Sequence, residues 1–85
     1  MTIAIYPGTF DPVTLGHVDV ATRVSRIFER VIVAVYGSSP RNPLFDKEER
    51  VEMFKRAVDG LANVEVESFE GLVIEYARRV GAEVM

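Results

Sequence analysis

The residues best able to do chemistry stand close together in YPGTFDPVTLGH, residues 6–17. This stretch holds Thr9, Thr14, Gly16 and His17, the only histidine of the chain. It follows the apolar run Ile3-Ala4-Ile5 and precedes a helical pattern, so it occupies the first strand-to-helix junction. Helix N-termini carry unpaired N–H groups and a partial positive charge, which makes them anion sites before any side chain is added. An imidazole in the first helical turn adds a hydrogen-bond donor. The combination suits a phosphoryl group whose oxygens gain charge in a transition state. Each feature also has a plainer use. A lone histidine in a first turn is ordinarily a surface residue, Gly-Thr is a turn signal, and Asp11 can bond within its own turn. The fingerprints G-x-G-x-x-G and G-K-[ST] are absent, so neither names a ligand.

The elements that must position these groups alternate along the chain. Ile3-Ala4-Ile5, ended by Tyr6-Pro7-Gly8, reads as a buried strand. From Gly16 onward, Val20, Val24, Ile27 and Val31 recur at helical spacing with Arg23, Arg26 and Arg30 opposite, which predicts a helix of roughly four turns. Gly8 permits a tight turn or the close approach of a ligand, and Thr14 is placed to cap the helix. VIVAVYG, residues 31–37, is a second buried strand, and residues 38–44, with two prolines, form a loop. Asp46 and Glu49 have capping-box spacing ahead of a helix whose apolar stripe is Val51, Phe54, Val58 and Leu61. The adjoining Glu48-Glu49-Arg50 run reads as a solvated face. NVEVESF alternates like a strand near a sheet edge. GLVIEYARRV reads as a third helix with Val73, Tyr76, Ala77 and Val80 inward and Gly81 as its stop, and the last residues start a fourth strand. The pattern predicts one α/β domain over residues 1–85: a Rossmann-like parallel sheet with right-handed crossovers. Ligands of such sheets bind beyond the carboxyl ends of the strands, where the opening stretch lies.

Composition narrows the function classes. Hydrophobic residues make up 48% of 85, so a packed core is expected. A net charge of −3 argues against wrapping nucleic acid by charge alone. The chain has no cysteine, which excludes disulfides and thiolate metal sites. No apolar run approaches the roughly 20 residues that span a bilayer, and the N-terminal residues lack signal-peptide character. These features suggest a soluble cytoplasmic protein with no membrane partner.

YPGTFDPVTLGH resembles the signature of the phosphopantetheine adenylyltransferases, nucleotidyltransferases with a T/H-x-G-H motif, here Thr14-Leu15-Gly16-His17. The similarity continues through VIVAV, PLFDKEERVEMF and NVEVESFEGLVIEYARRVGAEVM. The resemblance implies transfer of AMP from ATP, with Mg2+, to 4'-phosphopantetheine, giving dephospho-coenzyme A and pyrophosphate. It implies that His17 contacts the ATP phosphates and stabilises the transition state, that Thr9 holds the reacting phosphates, and that Phe10 and Gly16 belong to the nucleotide site. It places Arg41 where relatives commonly have a lysine gripping the phosphopantetheine phosphate, a planar fork in place of a point donor. It sets Leu72 and Val73 along the pantetheine arm. It assigns no metal ligand.

The family chain is roughly twice this length, so the resemblance covers an N-terminal half and expects the C-terminal half to be absent, with its Arg-Gly-Leu-Arg and Ser-rich segments. An uncovered sheet edge and apolar face then predict a homo-oligomer. Two other readings stand beside this one: another transferase of the superfamily, or a catalytically silent, self-assembling half-domain.

Overall fold

The computed structural model describes residues 2–37 and 45–84. The elements run β1 (Ile3–Gly8), α1 (Leu15–Ser25), β2 (Arg30–Tyr36), α2 (Lys47–Ala57), β3 (Val64–Phe69) and α3 (Val73–Val80). The strands form one parallel sheet in the order β1-β2-β3, with Ile5 opposite Ile32 and Val33 opposite Val66. The Rossmann-like α/β expectation therefore holds, and β3 is an edge strand as its alternating acids implied. Among the described residues the incipient fourth strand is a single parallel bridge, Ala4 to Val84, beside β1.

The run VIVAV has no polar side because both faces of β2 are covered. Val33 and Val35 pack with Phe10, Ala21, Phe54, Val58 and Val66 beneath α1 and α2. Ile32 and Ala34 pack with Ile5, Phe69, Tyr76 and Ala77 beneath α3. Each fully buried Val, Ile or Phe side chain among them stabilises by about 1.5–3 kcal/mol relative to an exposed one. Predicted caps are present on all three helices: Thr14 and Asp46 each close a capping box, and Gly81 at φ 75° ends α3 in the left-handed conformation.

Three expectations are corrected. First, α1 has 11 residues and ends at Ser25, so Arg30 and Val31 belong to β2 and Ile27 is exposed. The helix stops where its ladder tightens, the Arg26 and Ile27 N–H groups donating three residues back to Arg23 and Val24, and where the Asn63 carboxamide donates to the carbonyls of Ser25 and Phe28, at 2.8 and 3.1 Å. Its buried residue is Ala21, and Val20 is 41% exposed, because a methyl side chain lets the helix lie closest to the sheet. Second, β1 runs through Pro7 and Gly8, which pair with Ala34 and Val35. A proline is tolerated there because, among the described residues, β1 has only the isolated bridge on its other side. Third, Arg50 is not on a solvated face: it is 1% exposed.

Candidate functional site

The first strand-to-helix junction is built around Phe10. Its φ is 53°, a left-handed conformation that costs a non-glycine residue about 1–2 kcal/mol, yet the residue is 4% exposed. Its ring packs edge-on against Tyr6, Phe54 and His17, with centroids 5.2, 4.9 and 4.9 Å away. Burial of the ring offsets the backbone cost. Gly8 exists for this ring: a Cβ there would stand 2.8 Å from Phe10 Cζ. The space that the sequence left open to a ligand is filled by the chain's own aromatic group.

Thr14 then starts α1. Its Oγ1 accepts from the His17 N–H at 3.3 Å, and its own N–H donates to His17 Nδ1 at 3.0 Å. A backbone N–H can only donate, so Nδ1 must carry the lone pair. The proton of the neutral ring is thereby fixed on Nε2, leaving the imidazole as a donor at a helix N-terminus. The first turn of α1 has no acidic residue to cancel its positive end. Leu15 and Gly16 are exposed, and first-turn N–H groups have no partner within their own helix, so both can meet a ligand. Thr9, also exposed, stands between the end of β1 and Phe10. Thr9, Phe10, Gly16 and His17 are thus brought together at the carboxyl end of β1, with Phe10 supplying a buried ring.

Leu72 and Val73 lie at the same end of the sheet but two strands away, after β3. Leu72 is 67% exposed and Val73 is half-buried against the α3-side cluster, so only Val73 takes part in core packing. Arg41 lies outside the described residues. Asp11 reaches beyond its turn: its Oδ1 accepts from the Phe45 N–H, 34 residues away, at 2.9 Å.

Sequence reasoning missed Arg50, whose guanidinium donates to the carbonyls of Thr9, Tyr36, Phe45 and Asp46. The signal was available, since Arg50 and Phe54 on α2 and Val58 at its C-cap are successive i, i+4 positions of one inward stripe. Among the described residues, no group of three or more His, Cys, Asp or Glu side chains is disposed to hold a metal ion. Likewise, no helix of the described residues is long and apolar enough to cross a membrane.

The cytidylyltransferase-like family model matches residues 5–85. The chain belongs to this family. It is 51% identical over 82 residues to a phosphopantetheine adenylyltransferase of Heliobacterium modesticaldum, covering 96% of this chain and 49% of that protein. It is 52% identical over 83 residues to one of Nostoc punctiforme, covering 98% and 45%, and 47% identical over all 85 to one of Desulforudis audaxviator, covering 100% and 52%. The chain spans about half the length of the curated relatives it matches. Among solved structures, NadR in complex with NAD and AMP-PNP superposes with a TM-score of 0.74 at 22% identity, covering 94% of this chain and 26% of that one. That likeness shows the shared fold. The relatives' names agree with the resemblance carried by YPGTFDPVTLGH and the segments after it.

Proposed function

We propose that this chain forms the nucleotide-binding half of a phosphopantetheine adenylyltransferase, which transfers AMP from ATP to 4'-phosphopantetheine to give dephospho-coenzyme A and pyrophosphate. One observation carries the reading: Thr14 holds His17 as an Nε2–H donor at the unopposed N-terminus of α1. In this reading the phosphate of 4'-phosphopantetheine forms a bond to the α-phosphorus of ATP, and the bond to pyrophosphate breaks. The attacking phosphate is already a nucleophile, so the protein supplies position and charge stabilisation. His17 Nε2–H and the Leu15 and Gly16 amides take the phosphate oxygens that gain charge. Thr9 adds a hydroxyl. Arg41 would grip the acceptor's phosphate, and Leu72, exposed, would meet the pantetheine arm with Val73 beside it. Magnesium enters with ATP, since Mg2+ is commonly held by substrate phosphates.

The reading includes a cytoplasmic site of action and a homo-oligomer. The oligomer is supported by an apolar hollow lined by Ala4, Tyr6, Val20, Val24, Phe28 and Val84. Sedimentation of a folded monomer at micromolar concentration would count against it.

Calorimetric titration with ATP and with dephospho-coenzyme A tests the core of the proposal on what this chain contains. Binding of either supports it. Binding of neither favours the silent half-domain. A pyrophosphate-release assay with 4'-phosphopantetheine as acceptor then tests the reaction. His17→Ala should lower any transfer by about 100-fold or more, as for loss of a transition-state donor. An unchanged rate would remove His17 from the mechanism.

A further inference from the structure

Arg50 is the one buried charged residue among the described residues, at 1% exposure. Its guanidinium is always ionised, and among the described residues it joins no ion pair. Its acceptors are backbone carbonyls on three separate segments: Thr9 at 2.8 Å, Tyr36 at 2.9 Å, Phe45 at 3.1 Å and Asp46 at 3.3 Å. Burying a charge this way is costly, and an aliphatic side chain would extend the Phe54–Val58 stripe more cheaply. What an aliphatic chain cannot do is gather diverging carbonyls, which the fixed fork of a guanidinium does.

The segments gathered are those that surround the candidate site: the loop after β1, the end of β2 and the start of α2. The bond to the Thr9 carbonyl fixes the peptide unit that leads into Phe10, the residue at φ 53°. Phe10 in turn sets its ring edge against the His17 imidazole. We infer that Arg50 is a positioning residue for the phosphate-binding loop, tying the Thr9 carbonyl to the ends of β2 and α2 so that Phe10 and His17 are held ready before a nucleotide arrives. This inference rests on the proposed function for its ligand and not for its geometry. It is separate from direct contact with substrate, because every described partner of Arg50 is main chain.

The test is nitrogen-15 relaxation and titration with ATP by NMR, on the wild-type chain, on Arg50→Lys and Arg50→Met, and on Phe69→Leu as a destabilised control on the opposite face. In the wild type, the Thr9 and Phe10 amides should have order parameters near 0.85, as rigid backbone does. Both Arg50 variants should drop them below about 0.6 and weaken ATP by about 10- to 100-fold, as misplacement of a binding group does. Lysine should not rescue, because the fork and not the charge is required. Phe69→Leu should change neither quantity. A mobile Phe10 in the wild type, full rescue by lysine, or unchanged order and affinity in Arg50→Met would each overturn the inference. Should the variants fail to fold, the wild-type order parameters decide. If the wild type binds no ATP while the variants still loosen the loop, the proposed function fails and the role of Arg50 stands. If ATP binds wild type and Arg50→Met equally, the reverse holds.

Discussion

The loop after β1 and the loop after β3 both leave the carboxyl end of the sheet and enter a helix, yet they are built in opposite ways. The first is fastened at every residue that matters. Arg50 holds the Thr9 carbonyl, the Phe10 ring is sunk in the α1–α2 cluster, and Thr14 and His17 close a reciprocal cap. The third passes through Gly71 at φ 83° and enters α3 at Leu72, which is exposed and makes no side-chain capping bond. Local stability in a fold is not uniform, and it follows buried contacts and satisfied backbone groups. The comparison teaches that buried contacts and satisfied backbone groups are concentrated in the loop that leads to His17, while Leu72 lies open on the surface.

Substitutions can break that contrast. The largest effect is expected from Phe10→Ala, which should cost about 3 kcal/mol in urea unfolding, as loss of a buried ring does. Leu72→Ala, an equally apolar residue in the matching loop, should stay within about 0.5 kcal/mol. Equal losses would erase the distinction. Gly8→Ala comes next, at about 1–3 kcal/mol, because its Cβ would press on Phe10 Cζ at 2.8 Å. Thr14→Ala should cost about 1 kcal/mol by removing one half of the capping box. Leu72→Asp should sharpen the comparison from the other side, raising stability by up to about 1 kcal/mol through a new cap on α3. No gain in thermal midpoint would mean that the Leu72 end of α3 is already satisfied.

The smallest effect is a pH dependence beneath α3. Burial, then the negative charge of Glu67 and its hydrogen bond, push the Tyr76 phenol from 10.0 up to about 12. The folded chain therefore holds that proton more tightly than the unfolded chain. The corresponding stability is fully present below pH 10.0 and is lost as pH rises through about 12. Urea midpoints across that window should fall less steeply in Tyr76→Phe than in the wild type. Parallel curves would remove Tyr76 from the alkaline response.

Much of this was legible in the residues. The alternation of strands and helices, the caps at Thr14, Asp46 and Gly81, and the junction holding His17 follow from local rules, because periodicity, capping and turn chemistry are short-range. What was not legible needed three dimensions. Spacing alone makes Val20 as good an inward residue as Ala21, and only the approach of α1 to the sheet separates them. Arg50 looked like surface charge because its acceptors lie up to 41 residues away and are carbonyls, which leave no trace in side-chain types. Gly8 looked open to a ligand because nothing local shows that Phe10 folds back over it.

The central claim is that Thr14 fixes the proton of His17 on Nε2, so that the imidazole is held as a donor at the start of α1. Long-range proton–nitrogen correlation of the neutral ring reads this directly. The account predicts a protonated Nε2 and an unprotonated Nδ1, and an Nε2 signal that shifts on adding ATP. A protonated Nδ1, or a freely exchanging mixture of the two tautomers, would contradict it.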